Sequence, residues 1–307
     1  MQTRDTQPLP VGLVGAGPWA ALVHAPMLAA GPETQLVGVW ARRPEAAAEL
    51  AGRHGAEPFA RIEDLFDAVD AVAFAVPPAV QAELATQAAL ARKALLLEKP
   101  IADATVPAEK LVDAVEHAGV PSLVVLTWRY AAAVRSFLTT AAQERLVAGT
   151  GAFLSDGLLQ GPFRTPWRLD RGPLLDLGPH VIDLLEAALG PVVGIGAYGD
   201  GHRWVGLFLE HQGGAMSQAS LSASVGITPF RAHVDVFSEE AALSVDCARA
   251  VTMETFATIR AEFATTVTSG RAHPLDVHHG LRLQRLIATA EADLGARRAP
   301  SQGGMFG

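Results

Sequence analysis

The chain has 307 residues, half of them hydrophobic, and a formal net charge of −8 at pH 7. This length is enough for two domains with separate cores, and the acidic balance argues against a nucleic-acid partner. The sequence has no apolar run of the ~18 residues that a membrane span needs, no signal-peptide pattern at its start and a single cysteine, Cys247. We therefore expect a cytoplasmic protein with no nucleic-acid or membrane partner.

The first part of the chain alternates between short apolar strands and helices. The hydrophobic pattern predicts strands over residues 11–14, 36–40, 70–76, 94–97 and 122–126. It predicts helices over residues 19–30, 44–54, 79–92 and 108–118. Because continuous apolar strands separated by helices form parallel sheets that are covered on both faces, we predict a doubly wound α/β domain over residues 1–127.

A different pattern follows residue 128. The sequence predicts a helix over residues 131–148, a second helix that ends near Leu189, and a final amphipathic helix over residues 281–294. Between residues 192 and 247, strand-like runs lie close together with short turns, as in an antiparallel sheet. We predict an α+β domain with an open, mainly antiparallel sheet over residues 128–297, and a flexible tail over residues 298–307.

A glycine-rich turn follows the first strand and opens the first helix. It reads Gly15-Ala16-Gly17-Pro18-Trp19-Ala20, a GxGxxA form of the dinucleotide-binding fingerprint. In this fingerprint the first glycine allows a tight turn, the second lets the backbone approach a pyrophosphate, and the helix N-terminus offers amide donors to the phosphates. Such a turn can also be a plain strand–helix connection, but its flanking strand and helix favour an NAD(P)-binding Rossmann domain.

The end of the second strand indicates which nucleotide is bound. An NAD site usually has Asp or Glu there, about 20 residues after the glycines, to bind the ribose 2′-OH. This chain has Ala41-Arg42-Arg43 instead. Arginine binds a 2′-phosphate by bidentate hydrogen bonds and stacks on adenine, so the sequence favours NADP(H) and leaves the use of NAD(H) open. The alternative is that Arg42 and Arg43 are solvated loop charges.

Two further segments carry groups suited to acid–base chemistry. The triplet Glu98-Lys99-Pro100 follows the fourth strand, at the sheet edge where ligands bind in this fold. Asp176, His180 and Asp183 are spaced by four and three residues, which places them on one face of a helix. Histidine and lysine are suitable proton-transfer groups because their pKa values can be tuned. Alternatively, Glu98-Lys99 forms a surface ion pair, Asp176 caps a helix and His180 is a satisfied core residue.

These motifs together resemble the glucose-fructose oxidoreductase / inositol dehydrogenase / MocA (Gfo/Idh/MocA) family. The resemblance rests on the glycine turn, the Glu98-Lys99-Pro100 triplet and the segment from Gly172 to Asp183, and it extends to Val76-Pro77-Pro78, Trp128-Arg129-Tyr130 and Trp167-Arg168. It implies a two-domain pyridine-nucleotide oxidoreductase, in which a Rossmann domain precedes an α/β domain whose open sheet often forms homodimers or homotetramers. It also implies that Lys99, Asp176 and His180 are the catalytic residues.

The resemblance implies the binding residues as well. The cofactor-binding residues it implies are Gly15, Ala16, Gly17, Pro18, Trp19, Ala41, Arg42, Arg43, Val76, Pro77, Glu98, Lys99 and Trp167. The substrate-binding candidates are Lys99, Trp128, Arg129, Arg168, Asp176 and His180. Indoles suit a sugar face and arginines suit hydroxyls or a carboxylate, but the alternative for Trp128, Arg129 and Arg168 is plain core or interface use. Lys99 would polarise the reacting oxygen, Asp176 would orient substrate or imidazole, and either Lys99 or His180 would transfer the proton. Asp176 and His180 are expected to face Lys99 across a cleft that holds the nicotinamide. No metal site is expected.

The chain departs from the family pattern in three places. The glycine run before the aspartate is reduced to Arg171-Gly172-Pro173, Gln81 stands where many members have histidine, and Thr127 replaces a frequent asparagine. We expect an NADP(H)-preferring dehydrogenase or reductase that acts on a CH–OH group of a sugar, polyol or related compound. The alternatives are a non-catalytic dinucleotide-binding regulator, or a glycosidase-like NAD-dependent or biliverdin-reductase-like member of the same fold.

Overall fold

The structure is a computed structural model that describes residues 7–298. The described chain divides into two compact units: residues 7–131 together with 251–284 form the first, and residues 132–250 together with 285–298 form the second. The predicted tail, 298–307, lies outside the described residues except for residue 298, which ends the last helix.

The first unit contains a six-stranded parallel sheet. Its strands are β1 (Leu9–Val14), β2 (Thr34–Trp40), β3 (Glu57–Phe59), β4 (Ala71–Phe74), β5 (Ala94–Glu98) and β6 (Ser122–Val125). They are arranged in the order β3-β2-β1-β4-β5-β6, and every neighbouring pair is parallel. All residues of β4, β5 and β6 are buried, as expected for a sheet that is covered on both faces. The predicted doubly wound domain is confirmed.

Helices connect these strands. They are α1 (Ala25–Ala29), α2 (Pro44–Arg53), α3 (Ile62–Asp67), α4 (Pro78–Leu90) and α5 (Thr105–Ala118), and a short 3₁₀ helix (Thr127–Tyr130) follows β6. The glycine turn leads first into a π-helix (Ala20–His24), in which the Ala25 amide donates to the Ala20 carbonyl, and only then into α1. Pro26 has no N–H to continue the regular α-helical ladder, which accounts for this wider turn.

The second unit contains a mixed sheet with one face against a long helix. The strands are β7 (Ala148–Leu154), β8 (Val192–Gly199), β9 (Val205–His211), β10 (Met216–Ser222), β11 (Arg231–Phe237) and β12 (Ala242–Asp246), in the order β12-β11-β7-β10-β9-β8. Only the central β7–β10 pair among them is parallel, so the predicted mainly antiparallel sheet is confirmed. Helices α6 (Ala132–Ala141), α7 (Pro166–Leu189) and α8 (Cys247–Ala250) belong to this unit.

Strand β7 corrects one sequence prediction. The helix expected over residues 131–148 ends at residue 141, and residues 148–154 form the strand at the centre of the second sheet. Gly149 and Gly151 disfavour a helix and give α7 room, because a Cβ at Gly151 would lie 2.6 Å from Val181 Cγ1. Pairing with strands on both sides outweighs the helix propensity of the neighbouring alanines.

The segment 251–284 differs from the predicted contiguous division at residue 127. It holds α9 (Met253–Ser269) and the start of α10 (Val277–Arg298), which the sequence placed in the second domain. In α9, Arg260 donates from Nε to Glu33 Oε2 at 2.6 Å and from Nη1 to the Met27 carbonyl at 3.1 Å. The Val124 amide also donates to the Leu275 carbonyl at 2.7 Å. These contacts fix the segment to the parallel-sheet unit, although it follows the second sheet in the chain.

Candidate dinucleotide and acid–base sites

The glycine turn lies at the carboxyl end of β1. Gly15 has a φ of +121°, and a Cβ there would lie 2.4 Å from the Ala75 carbonyl oxygen, so only glycine fits. Its amide donates to the Trp40 carbonyl at 2.8 Å, which ties the turn to the end of β2. A Cβ at Gly17 would meet nothing within 4 Å, so the backbone there is open to a ligand.

A cavity of about 430 Å³ lies beside this turn. It is lined by Ala16, Gly17, Pro18, Ala21, Arg43, Glu45, Ala46, Glu49, Leu50 and Arg53. The structure thus brings four predicted nucleotide contacts together: three turn residues and Arg43. Arg42 is exposed and lies outside this lining. Glu45, Glu49 and Arg53 are not among the contacts that the sequence predicts, although their spacing of four residues along α2 indicates a common helix face.

A buried carboxylate connects the first helix to the end of β5. Glu98 Oε1 accepts from Trp19 Nε1 at 2.7 Å and lies 2.8 Å from His24 Nε2. Glu98 is 9% exposed and His24 is fully buried, and its Nδ1 has no hydrogen-bond partner among residues 7–298. Glu98 is therefore not half of a surface ion pair, and its side chain joins the π-helix after the glycine turn to the end of β5, next to Lys99.

Gln81 fixes the backbone on both sides of Lys99. Its Nε2 donates to the carbonyl of Glu98 at 2.8 Å and to those of Pro100 and Ile101 at 3.2 Å each. Its Oε1 accepts from the Glu98 amide at 2.8 Å. The sequence singled out Gln81 only as a departure from the family pattern, because nothing local signals which backbone groups the amide reaches.

In the second unit, α7 is kinked at the predicted loop residues. Gly172 has a φ of +70°, and a Cβ there would lie 2.1 Å from the Gly201 carbonyl oxygen, so the chain needs glycine for this close approach. The facing loop is held by Asp200 Oδ1, which accepts from the amides of residues 202, 203 and 204. Partial burial opposes ionisation of Asp200, but these donors outweigh it and lower the pKa of the carboxyl.

Asp176 is ion-paired within this unit. Arg168 Nε donates to Asp176 Oδ2 at 2.9 Å, and the guanidinium lies 4.6 Å from the Trp167 ring centroid. This arrangement brings together three residues that the sequence assigned to cofactor or substrate. Asp176 lies four residues past the Gly172 kink, so it is not a helix N-cap. A charge-assisted hydrogen bond to arginine fixes the position of the carboxylate, which can orient a ligand.

His180 and Asp183 follow on the same helix. Both are buried, at 9% and 2% exposure, and the Phe153 ring of β7 lies 6.1 Å from the His180 ring. A histidine in these surroundings can give or accept a proton with little competition from water.

The remaining predicted contacts lie in the first unit. Val76 lies close to Gly15, because its Cγ1 would be 3.0 Å from a Cβ there. Trp128 is buried in the 3₁₀ helix and Arg129 beside it is half-buried. Within residues 7–298, no group of three or more His, Cys, Asp or Glu side chains has the arrangement of a metal site, and no helix is long and apolar enough to span a membrane.

The parallel sheet and its glycine turn define a dinucleotide-binding Rossmann domain. Residues 9–126 match the Gfo/Idh/MocA family model, described as an oxidoreductase family with an NAD-binding Rossmann fold. The match over this domain agrees with the resemblance that the sequence motifs show.

Two curated relatives are similar over part of the chain. Levoglucosan dehydrogenase of Pseudarthrobacter phenanthrenivorans is 29% identical over 211 residues, which cover 62% of this chain and 54% of the relative. Glucose-6-phosphate 3-dehydrogenase of Bacillus subtilis is 28% identical over 184 residues, which cover 57% of this chain and 52% of the relative. The matched region thus spans about half the length of these relatives.

A solved structure extends the likeness to nearly the whole chain. GenD2 from gentamicin A biosynthesis, in complex with NAD, superposes with a TM-score of 0.85 at 21% identity and covers 97% of each chain. At this identity the likeness concerns the fold of both units.

Proposed function

We propose that this protein is an NAD(P)-dependent dehydrogenase that acts on a secondary alcohol or ketone of a sugar, polyol or related small molecule. The observation that carries the proposal is the cavity beside the glycine turn, in the same unit as Lys99, whose flanking backbone is fixed by Gln81. The two curated relatives, which are named for sugar substrates, support the substrate class. When bound, the nicotinamide supplies the hydride acceptor or donor.

The chain's own residues would handle the proton and the substrate oxygen. Oxidation of an alcohol removes a hydride from carbon and a proton from oxygen, and reduction returns both. Lys99 polarises the oxygen, and Lys99 and His180 are the two candidates for the proton acceptor. Asp176 is paired with Arg168, and its proposed role is to orient the substrate or the imidazole.

Arg43 favours NADP(H) as the preferred cofactor, with NAD(H) as a second one. Arg43 lines the cavity beside the glycine turn, and the planar guanidinium suits bidentate hydrogen bonds to a 2′-phosphate.

The open face of the second sheet is the proposed surface for a homodimer or homotetramer. Phe208 and Met216 are 52% and 50% exposed on neighbouring strands, which is typical of a contact face. We place the protein in the cytoplasm.

The test is a panel of sugars, polyols and keto compounds assayed by nicotinamide absorbance with either cofactor. Lys99→Ala should lower kcat about 100-fold or more while nucleotide binding is kept, and the exposed Lys110→Ala should have normal activity. The rate of turnover of His180→Gln is measured across pH and compared with that of wild type. If His180 is the proton acceptor, its ionisation disappears from the pH–rate profile of the variant. Normal turnover by Lys99→Ala would refute the assigned role, and nucleotide binding without turnover of any substrate would favour a regulator.

A further inference from the structure

The cavity beside the glycine turn is lined by charged residues of two kinds, those that form an ion pair with each other and those that do not. Glu49 and Arg53 form an ion pair one helical turn apart on α2, so their charges largely cancel. Arg43 and Glu45 line the same cavity, and the side chain of neither has a hydrogen-bond or ion-pair partner among residues 7–298. The cavity lining therefore includes one cationic residue, Arg43, and one anionic residue, Glu45, that can bind a ligand.

Both side chains come from the start of α2. Arg43 is the N-cap residue of this helix and Glu45 lies in its first turn. The usual acidic residue at the end of β2 is replaced by Ala41, so a carboxylate for the ribose is missing at its expected place. Glu45 brings a carboxylate into the cavity from four residues further along the chain.

We propose that Glu45 is a specificity-determining residue that restrains the preference for NADP(H) and supports binding of NAD(H). The inference rests on the proposed nucleotide-binding function. A ribose 2′-OH donates a hydrogen bond to a carboxylate, so NAD(H) uses Glu45. A 2′-phosphate carries about two negative charges near neutral pH, so NADP(H) uses Arg43 and is repelled by Glu45. NAD(H) thus binds Glu45, whereas NADP(H) binds Arg43.

The charge on Glu45 is large enough to measure in binding. A carboxylate about 6 Å from a phosphate dianion, in a water-like dielectric, weakens binding about tenfold. Glu45→Gln removes this repulsion and keeps an oxygen that can still accept from a hydroxyl. Glu45 is exposed, so the substitution leaves the core of the unit unchanged.

The experiment is a fluorescence titration of wild type, Glu45→Gln, Arg43→Gln and Glu57→Gln with NADPH and NADH at fixed ionic strength. Glu57 is an exposed carboxylate on β3 outside the cavity lining, so it controls for the loss of one negative charge. We expect Glu45→Gln to bind NADPH about tenfold more tightly and NADH no better than wild type. Arg43→Gln should lose NADPH affinity selectively, and Glu57→Gln should match wild type.

Two outcomes would overturn the inference. In the first, Glu45→Gln leaves the ratio of NADPH to NADH affinities unchanged; in the second, Glu57→Gln changes that ratio as much as Glu45→Gln does. Failure of wild type to bind either nucleotide would instead overturn the proposed function itself, which separates the two results.

Discussion

Replacement of Gln81 by alanine should destabilise the parallel-sheet unit and displace Lys99. The Gln81 side chain is fully buried and makes hydrogen bonds with the backbone of Glu98, Pro100 and Ile101. The Glu98 amide would lose its Gln81 acceptor, the three carbonyls would lose their Gln81 donor, and a cavity would form on α4.

The size of the effect follows from these contacts. The two 2.8 Å hydrogen bonds to Glu98 are the strong ones. The two 3.2 Å bonds share the Nε2 donor of Gln81 with one of them. With about 1 to 1.5 kcal/mol for each strong bond and a smaller amount for the shared pair, the loss is about 3 kcal/mol. For a domain of roughly 150 to 250 residues this corresponds to a Tm lower by roughly 6–12 °C.

Thermal melting of Gln81→Ala against Gln87→Ala measures this effect. Gln87 is exposed on the same helix, so its substitution should change stability by no more than about 0.5 kcal/mol. In Gln81→Ala, turnover should fall further than nucleotide affinity, because hydrogen bonds no longer hold the backbone on both sides of Lys99. Equal stability of the two variants would refute the reasoning.

Three other substitutions or probes test separate parts of the molecule. Gly15→Ala should melt at a lower temperature because its Cβ meets a backbone oxygen, whereas Gly17→Ala should melt normally and lose nucleotide affinity in titrations; equal melting of both would contradict this. Arg168→Gln should cost about 2 kcal/mol in denaturant unfolding because it removes the guanidinium that pairs with the largely buried Asp176 carboxylate. The double variant with Asp176→Asn should recover part of that loss, and no recovery would count against the pairing. Burial, together with the charge of Asp246, raises the pKa of the Cys247 thiol to about 12, so thiol reagents at about pH 8 should label it only after unfolding.

The sequence by itself determined the elements whose signals are local. Apolar strands bounded by glycine and proline, the glycine turn after β1 and the Pro44 start of α2 all depend on residues within one turn or strand, so each was predicted close to its observed place. The spacing of Asp176, His180 and Asp183 likewise follows from helix geometry alone. The resemblance to the family depends also on the order of the motifs along the chain, which the chemistry of a single motif does not give.

The tertiary structure decided what depends on partners distant in the sequence. Strand β7 forms because β10 and β11 pair with it, and α9 joins the first unit because Arg260 reaches Glu33, which lies 227 residues earlier. Gln81 gains its role only where folding brings α4 beside the end of β5. Glu45 is a candidate ligand only because folding places it in the lining of the same cavity as Arg43. A sequence pattern specifies which face of an element a side chain occupies, but the groups that the face meets are set by packing between elements.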